Sequence, residues 1–248
     1  VLRTIADTAA VALLHGTAHW RASDVDVATC RRHGIAVAAL DEEAIGLYRY
    51  TPLGVLAGLL DLAVEVAGST VVIAGEAPCV PYVVQALTRL GARVLVAAPQ
   101  TAGRIELFGG EKAGDAIGDD GVLGRLAEAD ALVLCPAADV RTVGPGSPVD
   151  ATLFAAAAPH VAVVGVDAES DLRALASAGL RCRPAGGPAG ESDLLPQAVI
   201  ARHAAALKVA ATMTRARKRG SSPLAAEQLA AAEAHAELFP KDLSAVRR

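Results

Sequence analysis

Apolar positions along the chain follow two rhythms. Short, nearly continuous apolar runs occupy residues 11–14, 35–40, 71–74, 93–98, 131–135 and 161–166, the length and texture of strands buried on both faces, and a further short strand is expected near 180–183. Between them the spacing turns helical. In residues 51–67, Leu53, Leu56, Ala57, Leu60, Ala63, Val64 and Ala67 share one apolar face, while Asp61 and Glu65 share a polar one. Thr51 is the expected cap of that helix, Pro52 suits its first turn and Gly68 ends it. Further helices are expected at 25–32 (Asp24 as N-cap, Gly34 as stop), 82–90, 121–129, 150–157 and 171–178. Residues 183–191 are rich in proline and glycine and read as a loop or hinge. A long helix follows at 194–218, with Val199, Ile200, His203, Leu207, Ala210 and Ala211 near one face. A last, alanine-rich helix is expected at 224–239, capped by Ser222.

Strand–helix alternation of this kind predicts the α/β class, with a doubly wound parallel sheet covered on both faces. The most telling stretch is Gly75-Glu76-Ala77-Pro78-Cys79-Val80, which closes the run at 71–74 and opens a helix. A G-x-G-x-x-G turn would place glycines at 75, 77 and 80. Gly75 can make the sharp turn. Ala77 adds a methyl where a pyrophosphate would approach, and branched Val80 would push the helix outward or narrow the pocket. The helix N-terminus still presents N–H groups and a partial positive charge to an anion. Pro78 and Pro81 each lack an N–H, so the turn has fewer donors than usual. Two readings stay open: a working dinucleotide site, or a turn kept as architecture.

Composition narrows the classes. With 53% hydrophobic and 3% aromatic residues in 248, small aliphatic side chains fill the core. A net charge of −4 gives no general attraction to nucleic acid. No apolar run approaches the roughly 20 residues of a membrane span, and no signal peptide is evident. The chain opens on Val1 rather than Met, which leaves open whether N-terminal residues are missing. Cys30, Cys79, Cys135 and Cys182 form no C-x-x-C pair, and histidines are not at metal-ligand spacing. Reduced, core-type cysteines in a cytoplasmic protein fit this usage, and no metal is expected. Cys79 stands apart because a helix N-terminus lowers a thiol pKa, which admits a nucleophilic role.

Residues 24–37 (Asp24-Val25-Asp26-Val27 through Gly34-Ile35-Ala36-Val37) resemble a segment of the N-terminal lobe of the D-2-hydroxyacid dehydrogenases. The helix at 52–67 resembles the one leading into their cofactor domain. Residues 130–144, with Cys135-Pro136 and Val140-Arg141-Thr142, and residues 150–166 resemble later parts of the same family. The likeness runs over roughly residues 10–180, without one complete motif. It implies a Rossmann-like fold with a reduced N-terminal lobe (1–67), a dinucleotide-binding domain (68–190) and C-terminal helices (191–248). It also implies NAD or NADP as cofactor, held around Gly75, Ala77, Pro78, Cys79, Val80, Thr101, Arg104 and Pro136.

The departures from the family are as informative. The ribose-binding Asp falls on Ala98; Thr101 or Arg104 would then meet a 2′-phosphate and favour NADP, or Arg104 is a solvated charge. The substrate-clamping Arg falls near Ala168, and the family's Glu and His have no counterpart in 183–198. The nearest histidine, His203, reads as a core or interface residue. Two function classes follow: an NAD(P)-dependent oxidoreductase acting on a small molecule, or a non-catalytic binding module or accessory subunit (a pseudoenzyme). Apolar helix faces near both termini suggest a homodimer under either.

Other chemistry-bearing residues are few. His15, Thr17 and His19 follow the first strand, where the family holds substrate. His15 and His19 would act as an acid–base pair, or they are one buried and one exposed ring at a strand end. A different enzyme on the same fold would use that pair or Cys79. Trp20 stacks on a planar ligand or covers a crevice. Asp41, Glu42 and Glu43 read as solvated loop charges.

Overall fold

The computed structural model describes residues 8–21, 23–98, 102–136, 142–144, 147, 149–166, 169–184 and 196–240. In chain order the elements are β1 (Ala10–Ala12), a 3-10 turn (Thr17–His19), α1 (Val27–Arg32), β2 (Ala36–Leu40), a second 3-10 turn (Leu47–Tyr50) and α2 (Thr51–Asp61). Then come β3 (Thr70–Ala74), α3 (Val80–Arg89), β4 (Arg93–Ala97), α4 (Ala102–Leu107), β5 (Glu111–Gly114), α5 (Asp120–Leu126) and β6 (Ala131–Leu134). The remainder is α6 (Ala151–Ala157), β7 (Ala162–Gly165), α7 (Glu169–Ser177), β8 (Arg181–Pro184), α8 (Pro196–Lys218), α9 (Pro223–Ala234) and β9 (Ala236–Leu238). The chain divides into two compact units: Val1–Leu47 with Leu195–Arg248, and Tyr48–Leu194.

In the unit Tyr48–Leu194, six strands pair in the order β5-β4-β3-β6-β7-β8, all parallel. Because strand side chains alternate between faces, each strand feeds two cores. Val71, Ile73, Val94, Val96, Val133 and Val164 face Val55 and Leu59 of α2 and Val80, Val83 and Leu87 of α3. Val72, Leu95, Leu132, Leu134 and Val163 face Val122 and Leu126 of α5, Phe154 of α6 and Leu175 of α7. The expected doubly wound α/β architecture is therefore present. Numbered from β3, the order is the 3-2-1-4-5-6 of dinucleotide-binding folds, and its direction reverses between β3 and β6.

In the other unit, β1 and β2 pair in parallel and β9 joins β2 antiparallel. Ala36, Ala38 and Leu40 face Ala206, Val209 and Met213 of α8 and Ala226 and Ala230 of α9. Val37 and Ala39 face Val27 and Cys30 of α1, with Trp20 and Phe239. Trp20 meets Phe239 edge-on at 5.5 Å between centroids and donates its indole N–H to the Val25 carbonyl at 2.9 Å. It is thus a core residue of this unit.

Several local expectations are corrected. Asp26, not Asp24, caps α1, accepting the Thr29 N–H at 2.9 Å. Thr51 is the first residue of α2 rather than its cap, and α2 stops at Asp61 instead of running to 67. Ala63 takes a left-handed conformation (φ 58°), and Val64 and Val66 enter the core beyond the helix. The last expected helix ends at Ala234, His235 turns left-handed (φ 58°), and the chain returns as β9. Strand β5 has no apolar signal because it is an edge strand; its Arg93–Glu111 ion pair to β4 sits in solvent. On α8 the buried residues are Ala198, Arg202, Ala206, Val209, Thr212, Met213 and Ala216, whereas His203, Ile200 and Leu207 face outward. The helix is alanine-rich on every side, so bulk alone misplaces the buried face, which the small residues set by close approach to β2.

Two predictions follow from this packing. A Cβ on Gly75 would lie 2.0 Å from the Cys135 carbonyl oxygen, at φ 122°. Gly75→Ala is expected to cost roughly 4 kcal/mol or more in urea unfolding. In contrast, Gly121→Ala in α5, where a Cβ meets nothing within 4 Å, should be neutral or stabilising. The second concerns Glu227, which is buried and accepts the Val37 N–H at 2.9 Å. Burial pushes its carboxyl above the ordinary 4.5. Its raised folded pKa gives stability that is complete below the unfolded value and lost as pH rises through the folded one. Glu227→Gln should therefore gain on the parent as urea unfolding is repeated from about pH 4 to about pH 8.

Candidate functional site

At the reversal between β3 and β6, two carboxyl ends diverge and leave a rim where a parallel sheet takes its ligand. Gly75 passes directly over the end of β6, its N–H donating to the Ala97 carbonyl at 3.1 Å. Ala77 donates to the Cys135 carbonyl at 3.1 Å, which ties the turn across the rim. The turn itself is open to solvent: Gly75, Glu76 and Ala77 are half-buried and Pro78 is exposed. Pro136, just beyond β6, is buried.

The donors available there can be followed one by one. Pro78 and Pro81 have no N–H. Val80 donates to the Ala77 carbonyl at 3.0 Å, and Tyr82 donates to the Cys79 carbonyl at 3.0 Å. Within the first turn of α3 that leaves the N–H of Cys79, the N-cap residue, for an anion. Val80 is wholly buried and packs between α3 and the sheet. The Cys79 side chain also lies in that core, 2% exposed.

Of the other expected cofactor contacts, Ala98 follows β4, is buried, and donates its N–H to the Gly114 carbonyl at 3.1 Å. Thr101 lies outside the described residues. Arg104 lies on α4, with its side chain outside them. Ala168, near which the resemblance would place an arginine, is also outside them.

The candidate histidines His15 and His19 belong to the other unit. His15 Nε2 stands 3.9 Å from Asp24, and its Nδ1 lies 3.1 Å from the Gly16 carbonyl oxygen. His19 Nε2 stands 3.7 Å from Glu42 Oε2. Glu42, expected as a solvated charge, is 4% exposed. Its Oε1 lies 3.9 Å from Nη2 of Arg202, a buried arginine that the pattern of the sequence does not single out. Beside them Glu237 accepts from Thr17 twice, at 2.7 Å from the backbone N–H and 2.5 Å from the hydroxyl. A rule that charged residues leave alanine-rich helix faces hides Arg202; the i, i+4 run of buried positions 198, 202 and 206 would have exposed it.

No group of three or more His, Cys, Asp or Glu among the described residues could hold a metal ion. No helix among them is long and apolar enough to cross a membrane. All four cysteines are free thiols. Burial raises the pKa of Cys30 and pushes Cys182 up to about 11. Alkylation of Cys182 by iodoacetamide near pH 8, followed by mass spectrometry, should run about tenfold or more slower than free cysteine, because the thiolate is scarce.

Neither a protein-family model nor a curated protein matches the sequence. Solved structures do match. A dipicolinate synthase chain from Bacillus subtilis aligns with a TM-score of 0.61 at 12% identity, over 88% of this chain and 69% of that one. A dipicolinate synthase chain from Bacillus halodurans aligns with a TM-score of 0.55 at 16% identity, over 76% of this chain. The match spans 62% of the Bacillus halodurans protein's length. D-lactate dehydrogenase from Lactobacillus jensenii, solved with NAD+, aligns with a TM-score of 0.50 at 14% identity, over 93% of this chain and 78% of that one. At such identities the likeness is one of fold: a Rossmann-like α/β architecture.

Proposed function

We propose that this chain is an NAD(P)-binding, oxidoreductase-like protein related to the D-2-hydroxyacid dehydrogenases. The nucleotide lies on the carboxyl rim of the six-stranded sheet, between the turn 75–80 and Pro136. The observation that carries the reading is the 3-2-1-4-5-6 strand order with a glycine-initiated turn at its point of reversal. The NAD+ named for the Lactobacillus jensenii dehydrogenase supports a nicotinamide dinucleotide as the ligand class. Pyrophosphate oxygens would meet the Cys79 N–H and the positive end of α3, against Gly75, Ala77 and Pro78, with Val80 holding the helix on the sheet. Buried Ala98 offers no carboxylate to a ribose, so Thr101 and Arg104 would decide between NAD and NADP.

A second reading has its own support. Gly75, Ala77 and Val80 spend their N–H groups within the protein, and two prolines supply none. A turn so short of donors suits a descendant that keeps the fold as a binding module without hydride transfer. Calorimetric titration with NAD+, NADH, NADP+ and NADPH separates the cases. Binding is expected with a Kd of about 0.1 mM or weaker, as befits few phosphate contacts. No heat from any of the four at about 5 mM would remove the nucleotide reading. Binding without reduction of any 2-oxoacid by NADH or NADPH would favour the non-catalytic form.

A further inference from the structure

Helix α8 turns two of its bulkiest apolar side chains into water. Ile200 is 59% exposed and Leu207 is 70% exposed. With the exposed Ala204 and Ala211 they form one outward line at helical spacing. The opposite side, with Ala206, Val209, Met213 and Ala216, packs on the sheet of β1, β2 and β9. Helix α9 lies in the same layer. Its Ala226 and Ala230 face that sheet, while Leu224 and Leu229 are exposed.

The charges on this layer have one sign. No aspartate or glutamate occurs between Pro196 and Ala226, although the chain holds 27 in 248 residues. Lys208, Arg215, Lys218 and Arg219 are all exposed. None of the described ion pairs includes any of the four. A helix C-terminus favours cations, which accounts in part for residues 215–219. It does not account for Lys208 in the middle of the helix. Nor does it explain why no acid stands at i, i+4 to pair with these cations on an exposed face. Lys218 continues the line of Ile200, Leu207 and Ala211, and Lys208 and Arg215 run along one flank of it. On α9 the exposed acid is Glu233, in the last turn.

An apolar line bordered by cations matches a partner that is apolar within and anionic at its boundary. Other partners match less well. Twofold pairing with a second copy would bring Lys208, Arg215 and Lys218 near the same cations, with no acid on either α8. A nucleic acid gains nothing from Ile200 and Leu207, and neither helix has a Phe, Tyr or Trp for a base to stack on. A protein partner is normally held by a compact central anchor. Here the line from 200 to 218 runs along about 27 Å of helix.

We propose that the outward face of α8 and α9 docks on an anionic phospholipid surface. Ile200 and Leu207 enter the headgroup region, and Lys208, Arg215, Lys218 and Arg219 meet the lipid phosphates. The attachment is to one leaflet, without a span, and it is independent of the nucleotide proposed for the other unit.

The test is co-flotation of the full chain with vesicles of phosphatidylcholine, alone or with about 30 mol% phosphatidylglycerol. Binding is expected to the mixed vesicles only, and to fall about tenfold or more between about 50 and about 500 mM NaCl. The triple variant Lys208→Gln, Arg215→Gln, Lys218→Gln should bind about a hundredfold more weakly, at about fivefold per charge. A control triple on the larger unit, Arg89→Gln, Arg125→Gln, Arg173→Gln, removes the same net charge from exposed positions and should stay within about twofold of the parent. Leu207→Ser should weaken binding severalfold and keep the salt dependence. The unaltered protein supplies a second readout that needs no variant to fold. Acylation of Lys208 and Lys218 by a succinimidyl ester, read by mass spectrometry, should slow severalfold on the mixed vesicles, while Lys112 reacts as before. The proposal is overturned if the mixed vesicles bind no better than phosphatidylcholine, if both triple variants behave alike, or if Leu207→Ser binds as the parent does. It is overturned too if Lys208 and Lys218 gain no more protection than Lys112. The face belongs to another partner if light scattering shows a dimer that the α8 triple dissociates. The same holds if duplex DNA or polyglutamate, at equal anionic charge, strips the chain from the vesicles.

Discussion

The architecture of the larger unit turns on one close approach. At the end of β3 the backbone of residue 75 passes so near the Cys135 carbonyl that no side chain fits between them. That contact lets β3 and β6 remain paired to their ends, with Cys135 donating its N–H to the Ala74 carbonyl at 2.8 Å, while the chain leaves for α3 on one face. The chain leaving β6 reaches α6 on the opposite face, as the two separate cores record. A doubly wound sheet needs such a parting of ways, and here it is made possible by a missing Cβ.

The same contact limits the chemistry. Hydrogen bonds that lock the turn to β4 and β6 take donors away from any ligand. Backbone N–H groups are each single donors, so a group given to Ala97 or Cys135 is lost to a phosphate. Val80 presses in the same direction. In place of a third glycine it contributes a fully buried side chain to the helix–sheet interface. Stability of the turn and generosity toward an anion are thus set against each other at residues 75–80, and this sequence leans toward stability.

The inner strands β3, β4, β6 and β7 of the larger sheet were legible because each is an apolar run with both faces buried, and the glycine stops at 91 and 179 bound their helices. Edges and ends were less so. Glu111-Lys112-Ala113-Gly114 is a strand by pairing alone, with no hydrophobic pattern to announce it. Ala236–Leu238 continues an alanine-rich helix in sequence but reverses at His235 to meet β2, a long-range pairing that local propensity cannot report. Glu42 looked like one of three solvated acids. What distinguishes it is a cation brought from 160 positions along the chain, which composition around residue 42 does not contain.

Arg202 is where local and tertiary reasoning part most sharply. An alanine there would extend the close-packed seam of 198, 206 and 209 and remove a desolvated charge, leaving Glu42 to be replaced in the same stroke. Exchanging a buried ion pair for apolar residues is often neutral or stabilising. Packing therefore gives no reason for this pair, and its loose 3.9 Å geometry gives little reason from hydrogen bonding.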